Sequence, residues 1–279
     1  MVTGNHAIDA GIGDNFVADC VHFPAEPTRV TQIGVLAAAA AVGIGGGLAI
    51  AGTSAIAGAA WVVLTGAAFA GGLLSTWSPC GYSSISLLRP TGKGGRALLD
   101  WLPTFLAHGA GYAAGAIMLG ALLGAIGLVM GFAGIGSGLA LAVLAVIGLA
   151  YGAHQLGLLR VPYPQRRAQV PHDARNRFPK WVVGGLYGLS LGLDYLTYVQ
   201  TPLLYLTTAA AIMTGNIPAA IGLIAVFNLG RYLPVAVNLL PWKDHHIQAW
   251  LARHQHRAAL VDGALLTAVG AVFGVLALV

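Results

Sequence analysis

The sequence predicts an all-α polytopic membrane protein with about seven transmembrane helices. Three observations carry the prediction. Of 279 residues, 57% are hydrophobic and only 8% charged, against roughly 25% charged in soluble domains. Several apolar runs reach the ~20 residues needed to cross ~30 Å of hydrocarbon, and mean hydropathy is +0.77. The basic residues, finally, gather into three loops. The pI near 9.4 follows from that gathering, because Lys and Arg of membrane proteins collect in cytoplasmic loops. The expected partner is therefore the lipid bilayer, and no nucleic acid.

Residues 1–30 read as a polar leader, expected on the cytoplasmic side. Positions 1–28 hold no Lys or Arg and carry Asp9, Asp14, Asp19 and Glu26, the reverse of a signal peptide's basic start. Residues 31–63 form an extra N-terminal span and its link. Residues 64–159 form a first group of three helices, 160–180 a basic cytoplasmic loop, and 181–279 a second group of three. The apolar segments lie at roughly 31–52, 64–88, 103–130, 137–159, 181–212, 218–240 and 258–279. The stretch AGTSAIAG between the first two is uncharged, so one continuous helix there is an alternative.

Orientation follows from the charges. Of 14 Lys and Arg, twelve fall in three loops: Arg89, Lys93 and Arg96; Arg160, Arg166, Arg167, Arg175, Arg177 and Lys180; Lys243, Arg253 and Arg257. The short loops GFAGIGS and TGNI have none. The basic loops are thus cytoplasmic and the C-terminus lies outside. With seven spans the N-terminus is inside, and without the first span it is outside. Segments 64–88 and 181–212 then cross in opposite senses, and each opens a group of three. That is the mark of an inverted-topology repeat.

The glycines have a packing role. GIGGGLAIAG at 43–52 follows no strand and opens no βαβ unit, so it is not a nucleotide loop. Small residues three and four apart let membrane helices approach closely.

The chemistry concentrates at two breaks. In STWSPCGYSS, Pro79 and Gly81 interrupt an apolar helix, and Cys80 lies on the interruption. A broken membrane helix is tolerated where it faces protein or a water-filled cavity. There, freed backbone amides would make the thiol reactive; the alternative is a small buried packing residue. The second break, TYVQTPLLY, is set by Pro202. It lacks a cysteine, and Val199 stands where a symmetric partner thiol is expected. Asp194 precedes it inside the span, where an ionisable residue is a functional candidate. Its expected partner is Arg231, with Gln200, Thr201 and Asn228 completing a polar cluster. A structural ion pair between packed helices is the alternative. His108 and His154 read as packing residues. His245, His246, His254 and His256 suit an interfacial amphipathic stretch anchored by Trp242 and Trp250, with metal binding as the rival. The two cysteines, Cys20 and Cys80, form no CxxC and no zinc spacing, so no metal and no cofactor is expected.

The runs GGLLSTWSPCGYSSISLLRP and FNLGRYLP resemble the CcdA family of cytochrome c biogenesis proteins and the membrane domain of the DsbD thiol reductases. The likeness spans roughly residues 64–279. Within that superfamily, the extra N-terminal span and the STWSPCGYSS run are most similar to the MauF family of methylamine-utilisation proteins. The resemblance implies a CcdA-type 3+3 inverted repeat in the bacterial inner membrane. It also implies an accessory role in the export, disulfide state or maturation of periplasmic methylamine dehydrogenase. The implied partner is that enzyme's disulfide-rich small subunit or a periplasmic thiol-disulfide protein. At most the chemistry is thiol–disulfide exchange. Relatives of the CcdA kind relay electrons through two membrane cysteines. Here Cys80 has no membrane counterpart, and Cys20 is the other thiol. Two further readings therefore stay open: an electron carrier using Cys20 and Cys80, and a secondary transporter of a small solute or metal ion through Asp194 and Arg231.

Overall fold

Where hydrocarbon surrounds a chain, each backbone polar group must be satisfied within the protein, and the described part of this sequence meets that requirement chiefly with helices. The computed structural model describes residues 27–92, 94–132, 134–164, 177–240 and 242–279, with no strand among them. Cys20, most of the expected leader and Arg166, Arg167 and Arg175 of the basic loop lie outside the described residues.

Helix α1 (Arg29–Ala51) starts at Thr28, whose hydroxyl accepts the Thr31 amide. It stops at Gly52, so the uncharged link is a true interruption. Helix α2 (Ile56–Leu74) runs into a 3-10 turn at Ser75–Trp77, and α3 (Pro79–Leu87) follows. Helix α4 (Gly95–Val129) is 35 residues long with Pro103 inside it. Helix α5 (Gly138–Gln155) is capped by Ser137. Two short helices follow, α6 (Lys180–Gly192) and α7 (Leu203–Met213). Asn216 caps α8 (Ile217–Tyr232), which passes into a 3-10 stretch at Leu233–Leu239. The last helix, α9, covers Asp244–Leu278.

Six of these helical segments are long and apolar enough to cross a membrane: α1, α2 with its 3-10 turn, α4, α5, α8 with its 3-10 stretch, and α9. The boundaries depart from the sequence reading in four places, one of them the third segment, which begins at Gly95 rather than 103. The second segment begins at Ile56 rather than 64. The expected span 181–212 is two half-length helices joined by the unwound residues 193–202. The last helix begins at Asp244 rather than 258 and absorbs the histidine-rich stretch.

Contacts at glycines fix the relative directions. Gly184 meets Thr104, Gly192 meets Tyr112, and Gly215 meets Phe132. Together α6 and α7 therefore run along α4 in the same sense, over nearly its whole length. Gly120 and Gly124 meet Ile221 and Ile217, so α8 runs against α4. Gly148 and Gly152 meet Gly270 and Gly263, so α5 and α9 are antiparallel, whereas Gly43 and Gly47 meet Ala268 and Val272, so α1 and α9 are parallel. The main packed pairs are α5 with α9, α4 with α6, α4 with α8, α2 with α8, and α1 with α9. Leu64, Leu144, Leu203, Phe227 and Phe273 are buried at the centre. The outer surface is also apolar: Val42 of α1 and Val62 of α2 are 71% and 73% exposed, as lipid-facing side chains are. The protein is a multi-pass membrane protein on that ground.

Candidate functional site at the two helix breaks

The first break is built by three small residues. Ser78 has extended backbone, and its hydroxyl donates to the Ser75 carbonyl at 2.6 Å while accepting the Gly81 amide at 3.3 Å. Pro79 takes the first position of α3, where its missing N–H leaves nothing unpaired. Gly81 lies so close to the 3-10 turn that a Cβ would stand 2.5 Å from the Thr76 carbonyl oxygen. The geometry forces the chain to turn immediately around Cys80. The cysteine is 3% exposed and is enclosed by Tyr112 of α4, Leu191 of α6 and Tyr232 of α8. His108 joins the same aromatic group, its ring 5.0 Å from Tyr112 and 6.0 Å from Tyr232. Its Nδ1 is 2.9 Å from the Gly184 carbonyl.

The second break faces the first across Leu191. Helix α6 ends at Gly192, and Asp194 takes a left-handed backbone with φ of 53°, a conformation Asp tolerates better than most residues. The end of a helix leaves carbonyls without partners. Two side chains of α8 supply them. Arg231 Nη1 donates to the Leu191 carbonyl at 2.6 Å and to Asp194 Oδ1 at 2.8 Å, and Nη2 donates to Thr197 Oγ1 at 3.3 Å. Asn228 Nδ2 donates to the Gly192 carbonyl at 2.9 Å and to the Tyr112 carbonyl at 3.3 Å. The guanidinium is placed at a helix C-terminus, where the macrodipole favours a cation. Asp194 and Arg231 are both fully enclosed, at 0% and 2% side-chain exposure.

The enclosure is not fully satisfied. Asp194 Oδ2, Asn228 Oδ1, Arg231 Nε and His108 Nε2 are buried with no hydrogen-bond partner among the described residues. Buried polar atoms are nearly always paired, so four orphans around one crossing mark a place with spare polar capacity.

Of the expected polar cluster, the structure unites Asp194, Asn228 and Arg231 and adds Thr197. Gln200 and Thr201 belong to a different place. The Thr201 hydroxyl donates to Asp262 Oδ1 of α9 at 2.7 Å, and both residues line a small cavity with Gln155, Gln255 and Trp77. Asp262 escaped the sequence reading, although a lone acid within ALVDGALLT was visible there. Pro202 directly precedes α7, and Leu203 follows it as Cys80 follows Pro79; Val199 is fully buried. His154 is remote from the thiol and accepts the Val161 amide at 3.0 Å. The four histidines of α9 lie in its first turns, docked through Ile247 and Leu251 onto Ile85. The Trp77 indole donates to the Leu251 carbonyl at 2.9 Å, and Trp250 is 5.9 Å from Trp77. Among the described residues no three His, Cys, Asp or Glu side chains converge as a metal site would require.

The chain is 67% identical over 274 residues to methylamine utilization protein MauF of Paracoccus denitrificans, and 69% identical over 274 residues to MauF of Paracoccus versutus, covering 98% of both chains in each case. It is 58% identical over 263 residues to MauF of Methylorubrum extorquens, covering 94% of this chain and 92% of the relative. No family model and no solved structure matches. With such identity over nearly its full length, the chain belongs to the MauF family of methylamine utilization proteins.

Proposed function

We propose that this chain is an inner-membrane accessory protein of methylamine utilisation. It supports export, disulfide state or maturation of periplasmic methylamine dehydrogenase, acting on the small subunit through Cys80. One observation carries the reading: the thiol is held at the crossing of two broken helices, packed on Leu191, whose carbonyl accepts a hydrogen bond from the buried Arg231 of the Asp194–Arg231 pair. In this reading, opening the crossing exposes the buried thiol to a partner cysteine.

The wider architecture follows the CcdA pattern in this reading. The chain crosses seven times, with α6 and α7 together as one crossing. The pairing of α4 with α6 and of α2 with α8 is what a two-fold relation between 64–159 and 181–279 requires. Under that relation Val199 stands in place of the second thiol, so the Cys80 thiolate attacks a disulfide of the partner, releases one of its thiols, and is displaced from the mixed disulfide by that or another partner thiol, a reshuffling without net change of oxidation state. The basic loops face the cytoplasm and the C-terminus faces the periplasm.

A clean deletion strain tests the role. It is expected to fail on methylamine while growing normally on a carbon source that bypasses the dehydrogenase, with the mature small subunit depleted. Normal small subunit together with lost methylamine uptake would overturn the accessory role in favour of transport. Normal growth and normal subunit would overturn both.

A further inference from the structure

Asp262 lies halfway along α9 and is 2% exposed. Its carboxylate accepts the Thr201 hydroxyl at 2.7 Å. The ion pairs among the described residues are made elsewhere, by Arg231 with Asp194 and by Arg89 with Asp244. A carboxylate in low dielectric without a positive partner is costly. It is stabilised either by a proton or by a bound cation.

The surroundings favour the cation. The cavity beside Asp262 measures about 10 Å³, room for one water-sized particle. Its polar lining is Gln155 from α5, Gln200 and Thr201 from the unwound segment, and Gln255 and Asp262 from α9. The residues of that lining carry one carboxylate, one hydroxyl and three side-chain amides, each amide with one carbonyl oxygen. Oxygen ligands of this kind suit hard cations, and the single negative charge balances a single positive one. We propose that Asp262, Thr201 and the three glutamines form a site for a water-sized monovalent cation, namely sodium, potassium or ammonium.

The placement gives the site a lever. Thr201 Oγ1 also accepts the Leu203 amide at 3.2 Å, so it joins the carboxylate to the first turn of α7. Gln200 and Thr201 close one end of the unwound segment 193–202, and the Asp194–Arg231 pair closes the other. A cation at Asp262 therefore tightens the unwound segment whose other end follows Leu191, the residue of α6 that packs on Cys80. Unwound membrane segments commonly supply cation ligands in this way.

The test uses full-length protein in lipid nanodiscs, starting in N-methyl-D-glucamine chloride. The unfolding midpoint is followed as NaCl, KCl or NH4Cl replaces that salt at constant ionic strength. The site predicts a saturable rise of about 5 °C at a hundredfold excess over the dissociation constant, for one of the three cations, which identifies it. Asp262→Asn abolishes the dependence, and Thr201→Val moves half-saturation about tenfold higher. Should Asp262→Asn fail to fold, the wild-type titration and Thr201→Val decide. A flat wild-type titration overturns the proposal and leaves Asp262 protonated. An equal response in Thr201→Val or Asp262→Asn overturns it as well.

Discussion

Replacing Arg231 by methionine removes one charge from a place that has no water to replace it. The side chain of Asp194 is fully buried and Arg231 is nearly so. Arg231→Met strands the carboxylate, a loss of about 3–5 kcal/mol. Asp194→Asn keeps a residue that tolerates the left-handed backbone, but strands the guanidinium at similar cost. In the double variant neither charge remains. What is lost then is chiefly the hydrogen bonding of Arg231 to the Leu191 carbonyl and Thr197, about 0.5–1.5 kcal/mol for each bond. The double variant is therefore expected to be more stable than either single variant, with a coupling of about 3 kcal/mol or more. Denaturant unfolding of the purified protein in detergent, read for wild type and all three variants, measures it. Additivity to within about 0.5 kcal/mol would refute the reasoning, since it would mean that the two groups do not sense each other.

Three further outcomes follow from the same contacts. Gly72→Ala places a methyl 2.8 Å from the Arg231 amide nitrogen and closer still to the Phe227 carbonyl; it should lower stability by about 1–3 kcal/mol, while Gly66→Ala, with nothing within 4 Å, should leave the unfolding midpoint unchanged. Asn228→Leu leaves the Gly192 and Tyr112 carbonyls without their donor and should cost about 1–3 kcal/mol, read in the same unfolding assay. Trp77→Phe removes the bond to the Leu251 carbonyl; a loss of about 1 kcal/mol and faster proteolysis within residues 244–257 are expected.

The spans were legible because hydropathy is set residue by residue. α1, α5 and α8 fall where the apolar runs fall. The breaks were legible too, since Pro79, Gly81 and Pro202 act on their own backbone. How far the second break unwinds was not. It opens over 193–202 because Asp194 turns left-handed and Arg231 and Asn228, far along the chain, satisfy the carbonyls it frees. The start of α9 was hidden for a related reason. Its first turns are polar, and their helix is held by Ile247 and Leu251 docking on Ile85 and Trp77, a tertiary contact with no local signature. Asp194 could be paired with Arg231 from sequence because both are rare charges in apolar surroundings. Tyr112, Tyr232 and His108 around Cys80 could not, because aromatic residues in membrane helices are common. Closeness in sequence to Asp194 points Gln200 and Thr201 to that residue, but the turns and irregular backbone between them carry Thr201 to α9 instead.

Central to the account is that the thiol at the first break reacts, and one substitution isolates it. A deletion strain is complemented with Cys80→Ser, which keeps the size and the hydrogen-bonding backbone of the break. Growth on methylamine and the amount of mature dehydrogenase small subunit are scored beside the level of the variant in the membrane. Loss of both at a normal membrane level is the expected result. Normal growth would contradict it, and would mean that the helix break serves the pathway without the sulfur.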